Sequence, residues 1–137
     1  MKLSFKLTIF IAIALFASCG SSPRTSSQGD QVERAFSAHA SNVQVAGEGT
    51  VLRTLADDRS GLEHQRFIVK LASGQTVLVE HNIDVANRID DLKPGDTVSF
   101  TGEYIWNDQG GLIHWTHHDP ARKHPDGWIK HNGKLYQ

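Results

Sequence analysis

The stretch LKPGDTVSFTGEY, residues 92–104, indicates how this chain folds. Its KPGD tetrapeptide is typical of a tight turn, because proline fixes φ and glycine tolerates positive φ. Beyond the turn, apolar and polar residues alternate, as they do in a strand that buries one face. We therefore expect a strand over residues 97–106, with Val98, Phe100, Tyr104 and Trp106 on its inward face.

The same alternation predicts four further strands. A long strand is expected over residues 42–55, with Gly47 and Gly49 inside it. Glycines within a strand often mark a bulge or a sharp bend, so this strand should be bent. The other three strands are expected over residues 64–71, 76–83 and 112–117.

Two short helices complete the expected elements. One covers residues 31–40, with Asp30 as its N-cap, and the other covers residues 84–92, with Asp84 as its N-cap. The buried face of each helix follows from its apolar spacing: Val32, Ala35, Phe36 and His39 share one face of the first, and Val85, Ile89 and Leu92 are spaced to be buried on the second. A short helix between the third and fourth strands resembles the OB-fold, a five-stranded Greek-key barrel that often binds nucleic acids or sugars. We predict a mainly β protein with such a closed barrel; an open α+β roll is the alternative. Its core should contain Phe67, Val69, Val79, Val98, Phe100 and Trp115.

The first 18 residues have the composition of a secretory signal peptide. Lys2 and Lys6 accompany an apolar stretch over residues 7–16. Ten residues are too few to span a bilayer, which needs about 20, but they suit the apolar region of a signal peptide. We therefore expect residues 1–18 to be removed from the mature protein.

The sequence LFASCG, residues 15–20, resembles a bacterial lipobox, whose cysteine becomes the lipidated N-terminus. Cys19 is the only cysteine, so it has no partner for an intrachain disulfide. The alternative is an ordinary signal peptide with an incidental cysteine. We expect a lipid anchor at Cys19, a flexible tether over residues 19–30 and one domain over residues 31–137.

Charge and lipobox context bear on the location and partners of the mature chain. Gly20, rather than an aspartate, follows the cysteine, which favours the outer membrane facing the periplasm if the host is Gram-negative.

Removing residues 1–18 takes away two lysines and no acidic residue, so the net charge changes from −1 to −3. The protein thus lacks the overall basic charge of nonspecific nucleic-acid binders, and any nucleic-acid contact would be local.

The segment HWTHHDPARKHPDGWIKH, residues 114–131, contains five of the eight histidines. Imidazole is both a metal ligand and a proton carrier near neutral pH. The segment is therefore a candidate site for a divalent transition metal such as zinc. The alternative is that these histidines hold an irregular loop to the barrel through hydrogen bonds. The candidate ligands are His114, His117, His118, Asp119, His124 and His131.

A second candidate site lies on the outward face of the second and third strands. Strand alternation places His64, Arg66, Glu80 and Asn82 there, while His81 should point inward as a structural histidine. Arg66 would bind a phosphate or carboxylate, or else form a cross-strand ion pair with Glu80. Trp128, in the loop that follows PDG, is the expected accessible platform for a base or a sugar ring.

Two classes of function are compatible with these patterns. The first is a binding module on the cell envelope, whose ligand would be a nucleic acid, a saccharide or another anionic molecule. The second is a small phosphodiesterase-like or nuclease-like hydrolase with His117, His118 and Asp119 as catalytic residues. In that enzyme an imidazole or a metal-bound water would supply the nucleophile.

Four long motifs resemble a family of short bacterial secreted proteins with a domain of unknown function, DUF3465. They are HQRFIV, VEHNID, GEYIWNDQGGLIHWTHHDP and GWIKHNGKLYQ. The resemblance covers nearly the whole mature domain. It implies the extracytoplasmic location that the N-terminus also indicates, and it implies no particular activity.

The anchor can be tested by replacing the lipidated residue. Wild-type protein should partition with membranes, and Cys19→Ser should block both lipidation and lipoprotein-type processing, because serine offers no thiol for the thioether bond. Detergent extraction and intact mass measure the two effects. Equal extraction and an identical mature mass for both proteins would rule the anchor out.

Overall fold

The computed structural model describes residues 29–137. The predicted signal peptide, Cys19 and residues 19–28 of the tether lie outside the described residues. No helix within residues 29–137 has the length and apolar character needed to cross a membrane. The elements are α1 (Gly29–Ser37), β1 (Val43–Thr54), β2 (His64–Leu71), β3 (Thr76–Asn82), β4 (Thr97–Ile105), β5 (Leu112–His114), β6 (Trp128–His131) and β7 (Lys134–Tyr136).

Strand β1 closes the sheet into a barrel because it pairs antiparallel with both β2 and β4. The order around the barrel is β1-β2-β3-β5-β4, and β3 and β5 are parallel. The register of β1 against β2 shifts between Val51 and Arg53 of β1, which places a bulge in this long strand. The predicted mainly β fold with a closed five-stranded barrel is confirmed. Strands β6 and β7 form a hairpin that extends the sheet from β4.

The barrel core follows from the alternation of apolar residues along the strands. Phe67, Phe100 and Tyr104 are the largest aromatic side chains in it, and all three are fully buried. Gly47 of β1 lies directly against the Phe100 ring, where any side-chain methyl group would overlap the ring. The rest of the predicted core is buried as expected, with the exception of Trp115.

The short N-terminal helix is confirmed, with shifted ends. It begins at Gly29, two residues before the predicted start, and ends at Ser37. Val32 and Ala35 are buried against the barrel as expected. His39, which was predicted on the same face, is exposed and has a φ of 50°, because it lies beyond the end of the helix.

The second helix, predicted over residues 84–92, is not formed; the segment is a series of turns. Side chains of the barrel satisfy the backbone groups that a helix would pair internally. Gln65 donates from Nε2 to the Ile89 carbonyl and accepts the Ile89 N–H on Oε1, each at 2.9 Å. Ile89 and Leu92 are buried as predicted, whereas Val85 is 58% exposed. Two of the three apolar positions are therefore buried as predicted, but they anchor a loop to the barrel and not a helix.

The last barrel strand is shorter than predicted and ends at His114 instead of residue 117. Trp115 has a φ of 52°, a left-handed conformation that a strand does not contain. The alternation of faces is therefore interrupted, and Trp115 is 36% exposed. The expectation that Trp115 belongs to the core was wrong for this reason.

Replacing Phe100 tests the packing of the barrel. Phe100→Ala should lower the free energy of unfolding by about 3–5 kcal/mol, because it removes a buried ring and leaves a cavity. Leu52→Ala, at an exposed position on β1, should change it by less than about 0.5 kcal/mol. Chemical denaturation measures both. A Phe100→Ala loss no larger than that of Leu52→Ala would contradict this packing.

Candidate functional site

The residue after β5 determines how the histidine-rich segment meets the barrel. Because Trp115 adopts a left-handed conformation, Thr116 turns inward and is fully buried. Its hydroxyl lies 2.8 Å from Nδ1 of His81. Gly127 lies against this turn. It is so close to the carbonyl oxygen of Trp115 that the Cβ atom of any other residue would overlap that oxygen. Its N–H donates to the His117 carbonyl at 2.9 Å.

Asp119 organises the loop that follows. Its carboxylate accepts the N–H groups of Ala121, Lys123 and His124 at 2.9, 2.6 and 3.1 Å. Burial alone would raise the pKa of Asp119, but these three donors outweigh it and lower that pKa below its ordinary value. The Asp119 N–H in turn donates to Asp126 at 2.7 Å. The predicted catalytic carboxylate is therefore occupied by the backbone of its own loop.

Three imidazole rings surround the Trp115 indole. The His124 ring packs against it, tilted by 42° at a centroid distance of 3.8 Å, and those of His117 and His114 lie at 5.3 and 5.5 Å. His64 extends the group, with its ring 4.9 Å from that of His114. Burial, together with these neighbouring imidazoles, lowers the pKa of His114. The exposed indole is thus held in place by packed side chains.

Hydrogen bonds to backbone carbonyls fix the tautomers of two of these histidines. Nδ1 of His117 lies 2.8 Å from the His118 carbonyl, and Nδ1 of His64 lies 2.7 Å from the Leu62 carbonyl. Because a carbonyl only accepts, Nδ1 carries the proton, and Nε2 of the neutral ring is an acceptor. In both residues Nε2 is buried and has no hydrogen-bond partner among residues 29–137.

A cleft of about 520 Å³ opens beside Trp115. Six large apolar side chains of the described residues are exposed, and three of them, Leu62, Val85 and Trp115, line this one cleft. Such a concentration of exposed apolar surface in a concave site is typical of ligand binding. We call it the Trp115 cleft; its other lining residues are Asn82, His117, His118, Asp119, Pro120 and Gln137.

The residues predicted as a ligand-binding face on β2 and β3 have separate environments. The Arg66 guanidinium donates to the Ala56 carbonyl at 3.0 Å, and no Arg66–Glu80 ion pair forms within the described chain. Glu80 instead lies 4.0 Å from Nδ1 of His114. Asn82 was expected to point outward, but it is buried and lines the Trp115 cleft, because β3 ends there and its Oδ1 accepts the Asp84 N–H.

Trp128 was expected to be the accessible aromatic platform. It lies on β6, pairs with β4 and is half-buried. Trp115 has the exposed indole in the cleft instead. Trp115 is exposed because of the left-handed turn at this residue, which no alternation pattern indicates.

The six predicted metal ligands do not form a single set: His114, His117 and His124 pack around Trp115, and the others have different partners. His131 is buried on β6, where Nε2 donates to Asp96 at 2.8 Å, and His118 is exposed and pairs with Asp126 at 2.9 Å. His124 lies 3.5 Å from Asp119. Over residues 29–137, no three His, Cys, Asp or Glu side chains are arranged to hold a metal ion. Many of these contacts are the loop hydrogen bonds of the alternative interpretation.

Sequence reasoning located the histidine-rich segment but missed most of the cleft. Leu62 and Val85 were not predicted as site residues, because they come from the loops before β2 and after β3, which are far from the histidine-rich segment in sequence. Val85 was assigned to the buried face of a helix that does not form. The only available signal was an apolar residue in each of two polar loops, which is weak on its own.

His81 confirms the expectation of an inward, structural histidine. It is fully buried, its Nε2–H donates to the Asn87 carbonyl at 3.1 Å, and its Nδ1 accepts from Thr116. Burial lowers its pKa from 6.5 to about 4. The folded protein therefore keeps this ring neutral at pH values where the unfolded chain binds a proton.

This difference predicts a pH dependence of stability. The His81 contribution is complete above pH 6.5, and about 3 kcal/mol of it is lost as the pH falls from 6.5 to 4, because protonation favours the unfolded chain. His81→Gln removes that titration, so its free energy of unfolding should fall less over the same range. Denaturation at pH 8, 6, 5 and 4 measures the two slopes. Equal slopes for both proteins would contradict the buried neutral ring.

Comparison with known proteins places the chain in a family. No match is found among curated proteins or solved structures. A family model described as "Protein of unknown function (DUF3465)" matches residues 13–137, which is nearly the whole chain. The chain therefore belongs to the DUF3465 family.

Proposed function

We propose that this domain is a non-catalytic binding module on the bacterial cell envelope, and that its ligand occupies the Trp115 cleft. One observation carries the proposal: half of the exposed large apolar side chains of the described residues line a single concave site. Leaving apolar area in water is unfavourable by about 25 cal/mol per Å². A ligand that covers Leu62, Val85 and Trp115 recovers that free energy.

The polar groups near the cleft support binding over hydrolysis. A hydrolase built on His117, His118 and Asp119 needs a base or a proton donor that is poised towards substrate. The carboxylate of Asp119 accepts three backbone N–H groups, and His118 is paired with Asp126. These side chains serve to fix the loop that forms one wall of the cleft.

The N-terminal sequence supports attachment to a membrane. Cys19 lies within the lipobox-like LFASCG, and Gly29, where α1 begins, is the tenth residue after it. A chain of that length reaches at most about 35 Å. The lipid anchor would hold the domain at the membrane surface, on the outer membrane facing the periplasm in a Gram-negative host, and leave the cleft open to the surrounding compartment.

Binding of Nile red, an uncharged dye that fluoresces in apolar surroundings, tests the cleft. The folded domain should bind it saturably at one site. Val85→Asp should weaken binding by at least about tenfold, because a carboxylate loses hydration against the dye. Leu52→Asp on β1, which adds the same charge at an exposed position outside the cleft lining, should leave binding unchanged. Equal effects of the two variants, or no saturable binding, would contradict the proposal.

A further inference from the structure

We infer that the Trp115 cleft binds an uncharged oligosaccharide. The inference rests on the proposed binding function and adds the chemical class of the ligand. It follows from three properties of the lining: the charges it lacks, the aromatic surface it exposes and the buried acceptor it contains.

The lining has no permanently cationic side chain for an anionic ligand, and of its two histidines His118 is paired with Asp126. Neither lysine nor arginine is among its nine residues, and its one carboxylate, Asp119, is held by backbone N–H groups. Arg122 and Lys123 follow in the same loop, but they do not line the cleft. Proteins that bind nucleic acids neutralise phosphates with such side chains. The chemistry of the lining therefore favours a neutral ligand.

The aromatic surface suits a sugar ring. The His124 ring packs against the Trp115 indole at a tilt of 42° and a centroid distance of 3.8 Å, and Trp115 is still 36% exposed. The face of an indole carries the negative part of its quadrupole. Sugar C–H groups are weakly positive and form flat apolar patches, so they pack against such a face. Leu62 and Val85 extend this apolar surface beside the ring.

The buried acceptor calls for a hydroxyl or amide donor from the ligand. Nε2 of His117 is unprotonated in the neutral ring and has no partner among the described residues, although the ring lines the cleft. An acyl chain or other hydrocarbon would leave this atom unpaired, which is unfavourable. Because this atom is itself buried, a small shift of the His117 ring, of the kind common on binding, lets a sugar hydroxyl donate to it. A second hydroxyl accepts from the amide nitrogen of Asn82, which also lines the cleft. Alternating apolar faces and hydroxyl groups are the properties that distinguish saccharides.

Calorimetric titration with N-acetylchitotetraose, cellotetraose and maltotetraose tests the inference, with oligodeoxythymidylate as the anionic comparison. At least one neutral tetrasaccharide should bind, and its affinity should not change between 50 and 300 mM salt because no ion pair forms. Trp115→Ala should weaken it by at least about tenfold. His117→Phe keeps a ring but removes the acceptor, and should weaken it by about tenfold. Leu52→Ala, at an exposed position on β1 outside the cleft lining, should bind as wild type does.

The outcomes separate this inference from the function on which it rests. If Nile red occupies the cleft but none of the three tetrasaccharides binds, the saccharide class is wrong and the binding module stands. If oligodeoxythymidylate binds with an affinity that falls steeply with salt, the ligand is a nucleic acid and the inference is overturned. If neither dye nor sugar binds, both proposals fail. Should Trp115→Ala not fold, Val85→Asp, at a 58% exposed position, takes its place with the same expected loss.

Discussion

The left-handed backbone at Trp115 is the constraint on which the candidate site depends. It ends β5 after three residues and exchanges the faces of the side chains that follow. Thr116 enters the interior to meet His81, and the Trp115 indole reaches the surface of the cleft. A bulky residue with positive φ is strained, and such strain persists only where the surroundings hold it. Gly127, pressed against this turn, and the Asp119-capped loop between them supply those surroundings.

The barrel supplies the rigid part of the site through polar side chains as well as apolar ones. Gln65 on β2 and His81 on β3 point inward and bind the backbone at Ile89 and Asn87. These bonds fix the connection between β3 and β4, so that Val85 remains exposed at the cleft. Buried polar groups of this kind specify one arrangement, because leaving them unpaired is costly. The cleft is thus bounded by two loops that the barrel holds in place.

Much of the fold could be predicted from alternation alone. The first four strands and the closed barrel follow from the pattern, since burying one face of a strand requires a period of two. The β6–β7 hairpin was not predicted, and two of the other failures share one cause: a distant residue decides the local backbone. Gln65 satisfies the groups that a helix over residues 84–92 would have paired, and Gly127 accommodates the turn at Trp115. The site was half found for the same reason, because the histidines are contiguous in sequence while Leu62 and Val85 meet them only in the fold.

The central claim is that the wall of the Trp115 cleft contains a buried, unpaired acceptor beside an exposed indole. A long-range ¹H–¹⁵N spectrum of the histidine rings tests it directly, with and without a bound tetrasaccharide. In the protein without ligand, the His117 ring should carry its proton on Nδ1 and have an unprotonated Nε2. The ligand should shift that Nε2 resonance and leave the ring resonances of His131 unchanged. A His117 ring that is protonated on Nε2 in the protein without ligand, or an Nε2 resonance that does not shift at a saturating concentration of the sugar, would contradict the account.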